Sequence, residues 1–196
     1  MSITTNQTAV EPGVRPLTIA DVAVLPTELP SGTVDYELDD GRLVIMVPPG
    51  DLHGALQAEI VAELINQGQR QGHGKARSEV GIVLRRNPDR LVAADAAFIA
   101  NRSLPLRHAP EGYLETVPDL IVEIRSKNDT AAAVQQKVDE YLTAGARVVW
   151  VIDPGAKTVA SHHAGEPVRV FTEADTLTLG DVIPGFQLPV ANLFSD

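Results

Sequence analysis

Two acids set in apolar strands, and a lysine beside an apolar helix face, are the residues of this 196-residue chain whose types and spacing suggest chemistry. "PDLIVEIRSKND" (118–129) reads as a core strand, yet Glu123 and Arg125 stand among Leu120, Ile121, Val122 and Ile124. Side chains alternate across a strand, so Leu120, Val122 and Ile124 share one face and Asp119, Ile121, Glu123 and Arg125 the other. "RLVAADAAFIA" (90–100) repeats the anomaly: Asp95 lies among Ala93, Ala94, Ala96 and Ala97, whose small size leaves room around a carboxylate. A charge buried without a partner is costly. These residues therefore either reach water or line a site that uses them.

If neighbouring strands bring Asp95 and Glu123 together, their repulsion raises one pKa unless a cation lies between them. A hard divalent ion with oxygen ligands, Mg²⁺ or Mn²⁺, is the natural occupant. The following helix offers a third group. Lys137 flanks the face formed by Val134, Val138 and Tyr141, so its stem can lie along the core while its ammonium reaches the strands. A metal and an ammonium together favour hydroxide and stabilise charge building on a phosphate. Blander alternatives stay open from the residues alone. Asp95 would pair with an arginine at a strand end, Glu123 and Arg125 would form an ion pair on a solvated face, and Lys137 would be a surface lysine.

The elements that must position these groups are legible in outline. "LTIADVAVLP" (17–26) predicts a short helix capped by Thr18. "TVDYELDDGRLVIMVPP" (33–49) predicts a hairpin turning at Gly41. "DLHGALQAEIVAELINQGQ" (51–69) has helical spacing, with Asp51 as N-cap and Gly68 as stop. Strands follow at 78–86, 90–100 and 118–126, then a helix over 129–146 and a strand at 147–153. "TVASHHA", "PVRVFT" and "TLTL" predict a small β annex before an apolar tail. The order of helix, three strands, helix, strand predicts a mixed α/β sheet flanked by helices. Residues 1–16 read as a loose polar arm and 17–196 as one domain. The connection 100–117, with Arg102, Arg107 and His108, is long enough to suggest a function. His162 and His163 would face opposite sides of a strand, a poor shared metal site. "GHGKA" (72–76) lacks the spacing of a phosphate loop and reads as a turn.

Composition narrows the class. The 44% hydrophobic and 21% charged content are those of an ordinary globular domain. No apolar stretch approaches the ~20 residues of a membrane span, and no leader is evident. The absence of cysteine excludes disulfides, thiolate metal sites and a cysteine nucleophile, and fits a cytoplasmic protein. The net charge of −10 argues against non-specific nucleic-acid binding by the whole surface. Residues 69–107, however, hold eight bases against three acids. That third is either a polyanion-facing surface or a solvated edge.

Taken together, "YELDDGRLVIMVPPGDLHG", "LVAADAAFI", "VPDLIVEIRSKND", "QQKVDEYLTAGARVVWVIDP" and "GDVIPGFQLPVANLF" resemble the PD-(D/E)xK nuclease superfamily. Within it they resemble the Uma-type putative restriction endonuclease family, over about Leu17 to Phe194. The resemblance implies a restriction-endonuclease-like core and a metal-dependent endonuclease acting on DNA, with Mg²⁺ or Mn²⁺ as cofactor. It makes Asp95 and Glu123 the metal-binding acids and Lys137 the family's helix lysine. It places His53 near the site, with Glu59 as a supporting acid. Two positions depart from the pattern. Ala94 replaces a proline, and Arg125 replaces the superfamily's strand lysine; an arginine binds phosphate but does not act as a base. Cutting both strands of a duplex suits a two-fold homodimer. The alternative is a fold kept for binding nucleic acid or protein, and a weaker one is a regulatory, antitoxin-like module that binds a basic partner.

Overall fold

The computed structural model describes residues 15–127 and 129–195. The expected N-terminal arm lies outside them except for Arg15 and Pro16. Arg15 pairs with Asp21 at 2.7 Å.

The chain enters through helix α1 (Ile19–Val22), closed by a capping box between Thr18 and Asp21. Two short strands, β1 (Glu28–Leu29) and β2 (Gly32–Thr33), precede the hairpin of β3 (Asp35–Asp39) and β4 (Arg42–Met46). Asp40 and Gly41, at φ 52° and 76°, make its turn, the left-handed pair that a tight hairpin requires. Helix α2 (Asp51–Glu63) follows, with Gly50 rather than Asp51 as N-cap. It runs on as a π-helical segment over Leu64–Gln69. Gly68 does not stop the helix, as its type suggests. It is a point of close approach, where a Cβ would lie 2.5 Å from the Phe98 ring.

Strands β5 (Gly74–Arg85) and β6 (Arg90–Ala100) form a long antiparallel pair. "GHGKA" therefore runs into a strand beyond the turn at Gly72. After β7 (Leu120–Ile124), helix α3 (Ala131–Ala144) crosses over to β8 (Val148–Asp153), parallel to β7. Strands β9 (Thr158–His162) and β10 (Arg169–Phe171) then extend the same sheet. Its order is β10-β9-β8-β7-β6-β3-β4, with β5 also on β6. The expected α/β core of helix, three strands, helix and strand is present. The expected annex divides: β9 and β10 join the main sheet, while β11 (Thr176–Thr178) and β12 (Gln187–Pro189) pair apart from it before helix α4 (Val190–Leu193).

Both faces are covered. Leu120, Val122 and Ile124 pack with Leu56 and Ile60 of α2 and Leu64 of its π-helical extension, and the C-terminal Leu177, Ile183 and Phe186 close that core. Ile121 packs on the other side with Val138 and Tyr141 of α3. Glu123 thus faces a helix, not water. Strand β6 changes allegiance midway: Val92 and Ala94 belong to the α3-side core, Ala96, Phe98 and Ala100 to the α2-side core. Asp95 lies at that change.

The connection from β6 to β7 is a packed structural loop. Asp119, buried at its end, accepts from Ala100 N at 2.7 Å, Arg102 Nη2 at 2.7 Å and Ser103 Oγ at 2.9 Å. The Tyr113 ring lies against Gly81, and Leu114 N donates to Gly81 O at 2.9 Å.

Candidate active site

Strand β6 is paired along one edge by β5 and shared along the other by two partners. β3 joins at Leu91, and β7 joins at residues 96–98. Between them the edge is forked. The β6–β7 ladder ends at Ala96 opposite Val122, and one step further in that register sets Asp95 opposite Glu123. Asp95 Oδ2 accepts the Ile124 N–H at 2.6 Å, taking over a donor the ladder leaves unused. Deeper in the fork, Ala93 N donates to Glu37 Oε1 at 3.0 Å. Two backbone groups at the split are thus satisfied by carboxylates.

Helix α3 supplies the groups facing Glu123. Tyr141 donates its hydroxyl to Glu123 Oε1 at 2.5 Å. Lys137, one helical turn earlier, places Nζ 3.0 Å from Glu37 Oε1 and 3.5 Å from Glu123 Oε2. Burial pushes the Glu123 carboxyl up to about 7; Asp95 and Glu37 add to this, while Lys137 and Tyr141 oppose it. Burial works against the Lys137 ammonium, but Glu123 and Glu37 together raise its pKa above the ordinary lysine value. Tyr141 is raised well above the usual phenol value by burial and by Glu123. Lysine and tyrosine therefore stay protonated at neutral pH, as donors rather than bases.

Helix α2 supplies the opposite wall. His53 Nε2 lies 3.4 Å from Asp95 Oδ2, and this contact raises the imidazole pKa against its partial burial. His53 Nδ1 is buried with no hydrogen-bond partner among the described residues. One turn on, Gln57 Nε2 donates to Asp95 O at 2.9 Å, Glu79 Oε1 at 2.6 Å and Ser78 Oγ at 3.1 Å. Glu79 stands opposite Asp95 on the β5 side, at φ 48°, between the Ser78–Ala96 and Val80–Ala94 pairs.

Five sequence-predicted residues thus fall into two groups. Asp95, Glu123, Lys137 and His53 come together at the fork. Arg125 lies just past the end of β7, where its Nη1 donates to Asp153 Oδ2 at 2.5 Å. Its Nε is buried without a partner among the described residues. The supporting acid Glu59 lies on α2 by a surface hollow lined also by Ala55, Asn192, Leu193 and Ser195. Glu37, Gln57, Glu79 and Tyr141 were not identified as site residues. Glu37 and Glu79 look like the exposed charges of strands, and only topology carries them to the fork.

Four of the eight bases in the middle third are paired with acids, and of these only Arg90 is buried. Arg85 pairs with Asp40, Arg86 with Asp89 and Glu115, Arg90 with Glu140 and Arg102 with Asp119. Among the described residues, Arg70, Lys75, Arg77 and Arg107 have no carboxylate within ion-pair distance; Arg70, Lys75 and Arg107 are exposed, while Arg77 is half-buried and donates to Ala76 O at 2.8 Å.

The donor set at the fork suits a hard cation. The Asp95 and Glu123 carboxylates repel each other, which helps to raise the Glu123 pKa, and a divalent ion between them would relieve that repulsion. Among the described residues no three His, Asp or Glu side chains group closely enough to hold a metal by themselves. Two carboxylates, with water and phosphate completing the shell, are what Mg²⁺ accepts.

An acid pair and an ammonium at the fork of a helix-flanked mixed sheet define a nuclease-like α/β protein. Residues 25–191 match the Uma2 family, described as a putative restriction endonuclease, and the chain belongs to that family. Its fold is similar to that of a putative nuclease belonging to DUF820 from Anabaena variabilis ATCC 29413. The TM-score is 0.74 at 21% identity, over 91% of this chain and 98% of the other. No curated protein matches the chain. No helix among the described residues is long and apolar enough to cross a membrane.

Proposed function

We propose that this chain is an endonuclease that hydrolyses phosphodiester bonds in DNA with Mg²⁺ or Mn²⁺. The observation that carries this reading is the register of β6 and β7, which sets Asp95 opposite Glu123 beside the Lys137 ammonium. Asp95 and Glu123 would hold the ion. When bound, it supplies Lewis acidity, offsetting phosphate charge and acidifying coordinated water.

The chain's own residues do the rest. In-line attack of water on phosphorus breaks one P–O ester bond, and negative charge grows on the phosphoryl oxygens. Lys137, held protonated, offsets that charge without reorganising. Tyr141 fixes the Glu123 carboxylate through its hydroxyl. His53 fixes Asp95 through one ring nitrogen and keeps Nδ1 for an incoming polar group. Arg125, held by Asp153 at the strand end, would add positive charge beside a bound phosphate. A two-fold homodimer would deliver two such sites to the two strands of a duplex.

The test is nicking of supercoiled plasmid with Mg²⁺ or Mn²⁺ by wild type and Asp95→Ala. Loss of nicking in the variant is expected, and equal activity removes Asp95 from the mechanism. The pairing of half of the middle bases with acids favours one second reading, a nuclease fold kept for binding another macromolecule. Calorimetry with Mn²⁺ separates the two, since such a binding module has no need of a metal at Asp95 and Glu123.

A further inference from the structure

We propose that Glu37 is the positioning residue for Lys137: anchored in the fork between β3 and β7, it draws the ammonium toward itself, so that Lys137 holds Glu123 Oε2 only through a long contact that an incoming group can displace. The meaning of this for catalysis rests on the endonuclease reading above. The geometry does not.

Glu37 is 3% exposed, a position an unpaired carboxylate does not tolerate. Its Oε1 accepts from both Ala93 N and Lys137 Nζ, each at 3.0 Å. The first bond ties the carboxylate to the backbone of β6, independently of the lysine. Its Oε2 lies 3.9 Å from Nη1 of Arg90. Arg90, also buried, is held by Glu140 Oε2 at 2.7 Å and Leu38 O at 2.9 Å. The result is a chain of alternating charge, Glu140, Arg90, Glu37, Lys137, Glu123, reaching from the half-buried Glu140 of α3 to the acid pair.

Within that chain the ammonium is not centred. It lies nearer Glu37 than Glu123, at 3.0 Å against 3.5 Å. Glu37 is fixed by strand and arginine, whereas Lys137 sits at the end of a flexible stem, so Glu37 sets the position and Lys137 takes it. With Glu37 neutral, the strongest remaining attraction on Nζ is Glu123. The ammonium would close on Oε2 and compete with any cation for that oxygen. Glu37 thus separates two demands on one carboxylate: a nearby ammonium to offset charge, and an oxygen that the ammonium holds only loosely.

Glu37→Gln tests this, because the amide oxygen still accepts from Ala93. In a crystal structure of the variant, Nζ is expected within direct hydrogen-bond distance of Glu123, about 2.8 Å. Mn²⁺ affinity by calorimetry is expected to fall on the order of tenfold. Plasmid nicking should lose about 100-fold in kcat with KM for DNA unchanged. Glu37→Gln combined with Lys137→Met should be no slower than Lys137→Met alone, because the first residue acts through the second. A merely structural role predicts losses that multiply. An ammonium that stays in place, unchanged Mn²⁺ affinity or multiplying losses each overturn the proposal. If Glu37→Gln does not fold, Glu37→Gln with Arg90→Met removes the buried pair together, and the same readings apply. A wild type that never nicks DNA defeats the endonuclease reading, while the ammonium position still decides the role of Glu37.

Discussion

Asp95 Oδ2 accepts the amide of Ile124 at 2.6 Å, so one carboxylate both ends the β6–β7 ladder and lies beside Glu123. Structure and proposed chemistry are separable at this residue. Asp95→Asn keeps an oxygen for the Ile124 N–H and loses only charge. Asp95→Ala strands a backbone donor, at a cost of about 1–3 kcal/mol. Both variants should lose nicking, and only the alanine variant should unfold markedly earlier in urea. Equal destabilisation by both would mean that the charge itself holds the strands together.

Asp119 supplies a contrasting case. It follows a proline, and its "PD" dipeptide invites a catalytic reading. Its carboxylate is instead spent on Ala100 N, Arg102 and Ser103. Asp119→Ala strands the buried Ala100 N–H, while the exposed Arg102 turns to water, so a loss of about 1–3 kcal/mol in urea unfolding is expected. The fraction that remains folded should bind Mn²⁺ with wild-type affinity. A selective loss of metal binding would instead place Asp119 in the site.

The pH dependence of stability has a definite sign. Glu123 and His53 both have folded values raised above their ordinary ones, Glu123 to about 7. The folded chain therefore holds these protons more tightly than the unfolded chain. Their contributions are complete below the unfolded values and are lost as pH rises through the folded ones. For the metal-free protein, Tm should fall between about pH 4.5 and about pH 7 as Glu123 loses its proton, and His53 extends the fall above the ordinary imidazole value. Glu123→Gln should flatten part of that slope. Added Mg²⁺ should raise Tm more at the alkaline end, where the carboxylates are free of protons. A Tm that climbs across this window would contradict these shifts.

Much of this was legible in the sequence. The run of helix, three strands, helix, strand followed from periodicity, and the edges of β6 fell where its apolar pattern begins and ends. Asp95 and Glu123 stood out because a charge in an apolar strand is costly, and Lys137 because helical spacing put it by the face of Tyr141. Strand alternation failed at two places for physical reasons. It set Arg125 beside Glu123, but the strand ends at Ile124 and the guanidinium turns to Asp153. It could not foresee that β6 changes faces at Asp95. Glu37 escaped notice because 100 residues separate it from Lys137 and its own strand reads as an ordinary edge. The β annex was misjudged because short strands carry no signal of which sheet they join.

The account turns on Asp95 and Glu123 sharing one divalent cation. Anomalous diffraction from crystals of the protein soaked in Mn²⁺ tests that most directly. The predicted result is a single strong peak at the fork, about 2.0–2.3 Å from an oxygen of each carboxylate, absent in Asp95→Ala. A peak held by other residues, or a fork that stays empty in protein that cuts DNA, would contradict it.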